Sequence, residues 1–253
     1  MAEQLVHASV GLALGLVAGS FLATLILRWP EGRSVLHGRS ACDGCGRILQ
    51  PWELVPVLSA LFQRGKCRGC CAAIDPLHWQ IELACGVIGV AAAMLTLFPQ
   101  ALGWMLAGWV LLTLAVLDAR HYWLPDALTL GLAFLGLTIG SWLTGGALVD
   151  SVIGAVAGYG VLMAVALFYR ALRGREGLGL GDAKLLGALG AWMGWQALPM
   201  LVFFASALAL LWTAWQAAIS RKQPYAATML PLGTFLCIAA PVVIAMRLTV
   251  NIG

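Results

Sequence analysis

Two aspartates stand where apolar runs meet polar ones. Asp182 opens an apolar segment inside the stretch Gly177 to Trp192, which reads G-L-G-L-G-D-A-K-L-L-G-A-L-G-A-W. Asp118 closes another, in L-A-V-L-D-A-R-H-Y-W-L-P-D. An ionisable side chain at membrane depth is costly and by default marks function; the bland reading of Asp182 is a helix cap at the membrane edge. Two carboxylates brought together can cut a peptide bond without a covalent intermediate. One takes a proton from water while the other, protonated, polarises the scissile carbonyl, because close like charges cannot both ionise. No Ser or Cys with a base nearby competes as a nucleophile.

A second constellation has metal chemistry. Cys42-Asp-Gly-Cys45 and Cys67-Arg-Gly-Cys70 are two C-x-x-C knuckles. Each supplies two thiolates, and the pair reads as a four-thiolate zinc site. Disulfides or a redox couple are the alternatives, and a reducing cytosol disfavours the former. Cys71 is expected to be a spectator, and Cys85 and Cys237, in apolar runs, small buried hydrophobes.

The elements that must position these groups follow from composition. Hydrophobic residues make up 61% of the 253 and charged residues 10%, against roughly 25% charged in soluble domains. The expected fold is an all-α polytopic membrane protein with the lipid bilayer as its partner. No aromatic-plus-basic interleaving points to nucleic acid. Apolar runs fall near 5–27, 80–98, 101–117, 126–144, 148–169, 183–197, 199–219 and 229–250, about eight transmembrane helices. The first is expected to be retained, since it lacks a basic flank and a cleavage site. If it runs inward, all but Arg247 of the 15 Lys and Arg residues fall on the cytosolic side. Omitting the short 183–197 run breaks that alternation. The chain then divides into a first helix (1–27), a cytosolic zinc-binding insertion (28–79) too small for a core of its own, and a membrane peptidase core (80–253).

On this topology Asp118 and Asp182 reach the cytosolic membrane level. Asp118 sits at a helix C-terminus and suits the acid; Asp182 sits at an N-terminus and suits the base, with Lys184 adding positive charge. Asp126 follows Pro125 as an ordinary first-turn acid, and Asp150 lies on the outer side. Gly187, Gly190 and Gly194 clear one helix face for close approach of a neighbour. His7, His37 and His78 are expected to be ordinary, and His121 is near enough to Asp118 to tune it. Trp29, Trp52, Trp79, Trp104, Trp123, Trp142, Trp192 and Trp195 fit interfacial belts.

In these blocks the chain resembles the bacterial type IV prepilin leader peptidases, or prepilin peptidase/N-methyltransferases. Gly179 to Lys184 matches that family's G-x-G-D motif, Asp118 to Asp126 its first aspartate box, and the knuckles its cytosolic cysteine domain. Gly19 to Leu22 with Arg28 and Pro30, Pro56 to Ser59, and Pro231 to Leu236 resemble further blocks. The resemblance implies Asp118 and Asp182 as the catalytic pair. It further implies leader removal from type IV prepilins or type II secretion pseudopilins at the cytosolic face of the bacterial inner membrane. N-methylation of the new terminus by S-adenosylmethionine would follow. Departures are Ala23 for Asn, Leu77-His78-Trp79 for Arg-Tyr-Pro, and Thr234 for Pro, all expected to stand clear of the aspartates; the first two lie in the part associated with methyl transfer. The spacing does not locate the S-adenosylmethionine site. Glu82 is one candidate, with a plain helix-start acid as its alternative. Other readings are a peptidase without methyl transfer, or a non-enzymatic assembly protein or transporter with a zinc docking domain.

Overall fold

A computed structural model describes residues 2–35, 40–174, 179–220 and 230–250; Gly177 and His37 fall outside them. Apart from two isolated β-bridges the described residues form helices and loops only. Contacts divide the chain into two units, Met1–Trp109 and Val110–Gly253.

In the first unit α1 (Ala2–Arg28) leads through a loop region containing α2 (Leu58–Phe62) to α3 (Leu77–Leu95), and α4 (Gln100–His121) begins. Helices α1 and α3 pack antiparallel along a glycine stripe. Gly11 faces Gly89, Gly15 faces Cys85 and Gly86, and Gly19 faces Glu82. A Cβ at Gly19 would stand 2.6 Å from the Glu82 Cα, so only glycine lets the backbones come this close. Such packing substitutes for the hydrophobic drive that lipid removes. At the far end Ala101 and Met105 of α4 close on Ala92 and Ala93, and the Trp109 indole donates to the Cys85 carbonyl at 3.0 Å.

In the second unit α5 (Asp126–Leu135) continues through a π-turn, Gly136–Gly140, into α6 (Ser141–Thr144). Then follow α7 (Leu148–Arg173), α8 (Leu180–Met193), α9 (Leu198–Ser220) and α10 (Leu232–Val250). Every residue of α8 from Leu185 to Met193 is buried. Helix α7 runs antiparallel to it, with Gly154 against Gly190 and Gly158 against Leu186 and Gly187. The expected cleared face of Gly187 and Gly190 is thus occupied by α7. Gly194 also lies against Gly154 of α7, and it ends α8 with φ +73. On another side Gly136 meets Ala191, its added Cβ falling 2.9 Å from the alanine's. Trp192 is 2% exposed and donates to the Leu132 carbonyl at 2.8 Å. It is a core residue and not part of an interfacial belt: burying an indole requires an acceptor for its N–H, and the carbonyl supplies one.

Each of the eight expected spans meets a helix among the described residues, but only six of these stretches are long and apolar enough to cross a membrane. The stretch Leu232–Arg247 is shorter. Helix α8 has 14 residues, about 21 Å at 1.5 Å per residue. That is less than the roughly 30 Å hydrocarbon core. This multi-pass membrane protein buries this short helix among its neighbours.

Candidate active site and metal centre

Asp118 lies in the last turns of α4 and is 5% exposed. Asp182 lies in the first turn of α8, half-buried. The start of α10 brings them together. The Thr234 N–H donates to Asp118 Oδ2 at 2.6 Å. The Thr234 hydroxyl stands 2.9 Å from the same oxygen and 3.1 Å from the Ala115 carbonyl. One residue earlier, the Gly233 N–H faces the Asp182 carboxylate, which the Gly179 N–H also reaches and which lies close enough to Asp118 for the two charges to interact. The N-terminus of α10 thus offers successive backbone donors to the two acids, the usual anion-binding property of a helix start.

Glycine is needed here for space. A Cβ on Gly233 would stand 3.0 Å from Asp118 Oδ2 and 2.8 Å from Leu124 Cδ1. A Cβ on Gly181 would meet Leu124 Cβ at 3.0 Å. Leu124, buried in the α4–α5 connection, wedges between the two glycines. The glycine of the G-x-G-D motif nearest the aspartate therefore lets α8 close on that connection.

Thr234 is the residue that sequence reasoning misplaced. It was expected to stand clear of the aspartates; it holds one of them. A prolyl residue at this position could not donate its N–H. Lys184 also differs from expectation. Its ammonium pairs with Asp126 Oδ1 at 2.6 Å, so its charge is directed to the start of α5. His121 is exposed, and Thr234, not His121, engages the Asp118 side chain. Asp150 accepts from Trp195 Nε1 and Gln196 Nε2, each at 3.0 Å, away from both acids in the first turn of α7. Cys237, one turn beyond Gly233, is buried within electrostatic reach of both aspartates.

Replacing Thr234 with Val keeps the N–H donor and removes the hydroxyl. With one hydrogen bond of about 1–1.5 kcal/mol lost, turnover on any peptide substrate should fall about tenfold. Thr234→Ser should retain it. Steady-state kinetics of the two variants side by side checks this; equal turnover in Thr234→Val and wild type would remove the hydroxyl from the site.

In the first unit the four knuckle sulfurs lie within 4.8 Å of one another, and Cys42 Sγ is 3.8 Å from Cys70 Sγ. A tetrahedron with zinc–sulfur bonds of about 2.3 Å has sulfur–sulfur edges of about 3.8 Å. The donor set thus fits the ion. The knuckles are built alike. The Cys42 N–H donates to the Arg47 carbonyl and Cys67 N–H to that of Ala72, each at 2.9 Å. Gly46 and Cys71 take the same left-handed step, φ +69 and +60. An added Cβ on Gly44 would meet Ala72, and one on Gly69 would meet Arg47, so each knuckle rests on the residue following its counterpart's left-handed step. The N–H groups of Cys70 and Gly69 face the Cys67 sulfur and hold its thiol down to about 6. Cys71 is exposed and outside the cluster. Arg47 also clamps Glu53, Nη2 to Oε1 at 2.6 Å. With the Gln50 N–H, which donates to the same carboxylate, it keeps Glu53 below the usual carboxylate range.

Between the knuckles and the α1–α3 pair lies a cavity of about 180 Å³, room for roughly six waters. Its walls include Ser20, Thr24, Arg28, Asp43, His78 and Glu82. Glu82 is 6% exposed.

Comparison with known proteins gives two family matches along the chain. Residues 13–96 match the bacterial peptidase A24 N-terminal domain, and residues 105–214 match the type IV leader peptidase family. A prepilin leader peptidase/N-methyltransferase of Burkholderia pseudomallei is 39% identical over 89% of this chain and 81% of its own length. One from Stutzerimonas stutzeri is 36% identical over 90% and 86%, and one from Pseudomonas aeruginosa 35% over 89% and 86%. No solved structure matches. With both of its domains matched in order and such identity along most of its length, the chain belongs to the type IV leader peptidase family.

Proposed function

We propose that this chain removes the basic leader from type IV prepilins or type II secretion pseudopilins and then N-methylates the new terminal residue. The observation that carries the peptidase half is the convergence of Asp118 and Asp182 on Gly233 and Thr234. In this reading both are catalytic. Thr234 occupies Asp118 Oδ2 with donors, so a proton shared by the pair and carried on Asp118 sits on Oδ1, where it can polarise the scissile carbonyl. Asp182, at the start of α8, takes the proton from the attacking water. In this reading the site works at the cytosolic face of the inner membrane, where a leader enters from the cytosol; the uneven charge of the chain supports the cytosolic side.

Zinc held by Cys42, Cys45, Cys67 and Cys70 is structural, since four thiolates leave no open position. S-adenosylmethionine supplies the methyl group. The cavity in the first unit, about 180 Å³ and so too small to enclose the whole cofactor, would hold part of it, with the Ser20 and Thr24 hydroxyls and the Asp43 carboxylate on its walls. Ala23 and the run Leu77 to Trp79, where the chain departs from its family, belong to the same unit, so methylation is the half these departures bear on.

The test is mass spectrometry of a prepilin incubated with purified protein and S-adenosylmethionine. The expected product lacks the leader and carries one N-methyl group. Cleavage without the methyl mass would leave the peptidase reading standing and remove the second reaction. An uncut precursor would sink the first.

A further inference from the structure

Glu82 is buried on α3, one turn into its apolar run, against the backbone of Gly19 on α1. Its Oε2 accepts the Val57 N–H at 2.7 Å. No other hydrogen bond reaches it among the described residues, and it lines the cavity. A buried carboxylate with one donor is under-bonded, since two oxygens offer about four acceptor positions. Val57 makes its contact from φ 60, ψ −47. That conformation is an outlier for a β-branched residue, and such outliers cluster at functional sites. The block Pro56 to Ser59, which the sequence singled out without a role, is thereby turned to present one N–H to one carboxylate. The cavity's other charged groups are differently engaged or differently signed. Glu53 is clamped by Arg47, Asp43 pairs with Arg33, Asp75 caps the Leu77 N–H, and Arg28 is a cation.

We propose that Glu82 is the amine-binding residue of the methyl-transfer reaction. Its free oxygen receives the α-ammonium of the cleaved polypeptide in the first-unit cavity and takes one of its protons. The carboxylate then becomes a neutral acid and the nitrogen keeps an exposed lone pair, the form in which an amine can accept a methyl group. This rests on the two-reaction reading above and adds the acceptor site to it. The burial that makes Glu82 costly as an isolated anion makes it selective for a cationic terminus over an acylated one.

The experiment separates binding from turnover. Full-length protein in detergent, without any methyl donor, is titrated with a fluorescent hydrophobic peptide bearing a free N-terminal amine and with its N-acetyl counterpart. Wild type is expected to prefer the free amine at least tenfold. Glu82→Gln, whose amide oxygen can still accept the Val57 N–H, should lose that preference and N-methylation while removing leaders at the wild-type rate. Glu82→Asp, which keeps the charge on a shorter arm, should recover part of the preference. An unchanged preference or an unchanged methylation rate in Glu82→Gln overturns the assignment. So does parallel loss of cleavage, methylation and thermal stability in both variants, which marks a scaffold residue. Failure of the wild type to cut leaders strikes the peptidase reading instead, and the amine preference is still measured.

Discussion

Asp118→Asn and Asp182→Asn are each expected to reduce leader removal to the edge of detection while the protein still inserts and keeps its metal. General acid or base catalysis contributes about 10²–10⁴-fold per group, and members of one catalytic unit do not act additively. Each single variant should therefore lose at least about 10³-fold, and the double variant little more. The substitutions are mild as structural changes. Asn at 118 retains an oxygen for the Thr234 N–H and hydroxyl, so the start of α10 keeps its anchor. Asn at 182 keeps an acceptor for the Gly179 and Gly233 N–H groups. A separate readout guards against trivial unfolding: N-methylation of a peptide supplied already cleaved should survive in both variants, because the cavity that would serve it lies wholly in the first unit. Leader removal within tenfold of wild type in either variant would exclude that aspartate from the chemistry.

Much of this arrangement was legible in the sequence, for reasons that can be named. Apolar runs long enough to cross a bilayer announce helices directly, because an unpaired backbone cannot lie in lipid. The glycines of α8 announced close packing, and α7 supplies the facing glycines 154 and 158. The two knuckles announced a cluster of four sulfurs, since a C-x-x-C turn brings both of its sulfurs to one side, and the four lie within 4.8 Å of one another. The losses are contacts made across long stretches of chain. Thr234 was read as a departure remote from the aspartates, yet it touches Asp118 through backbone and hydroxyl alike; no local pattern says that residue 234 meets residue 118. Lys184 was placed beside Asp182 by proximity in sequence. A helix turns 100° per residue, so a side chain two positions on points elsewhere, here to Asp126. Trp192 looked interfacial because it ends an apolar segment, but α8 is too short to reach a second interface and is enclosed by α5 and α7. Glu82 could be suspected from sequence only as an acid near a helix start. Its single donor, Val57, comes from a loop whose conformation no propensity would have chosen.

Replacing any one of Cys42, Cys45, Cys67 or Cys70 with Ser should release the metal, and with it the order of the segment between α1 and α3. The purified protein should carry about one zinc per chain. A hard alkoxide oxygen is a poor substitute for a soft thiolate, and the remaining three sulfurs cannot close the tetrahedron. Little else organises this segment. Each of its two knuckles is closed by a single β-bridge of its own, Ala41 with Ile48 and Lys66 with Ala73. Its only described α-helix outside the apolar runs is Leu58–Phe62, and a stretch this small builds no sufficient core. Metal binding in such domains supplies folding free energy on the order of 10 kcal/mol, more than the bridges and the Arg47–Glu53 pair could replace. The consequence should reach the cavity, because Asp43 and the Val57 loop both belong to the segment. N-methylation is therefore expected to fail in the cysteine variants, whereas Asp118 and Asp182, held by Thr234 and Gly233 in the other unit, have no ligand among the four sulfurs. Cys71 gives the control. It occupies the left-handed step that glycine takes in the first knuckle, so Cys71→Ser should keep the zinc and Cys71→Gly should keep it with a gain of about 1 kcal/mol in stability. Elemental analysis beside thermal melting of these variants decides the matter: protein purified under reducing conditions without zinc, or a Cys71→Ser variant that loses it while Cys70→Ser does not, would overturn the four-thiolate site.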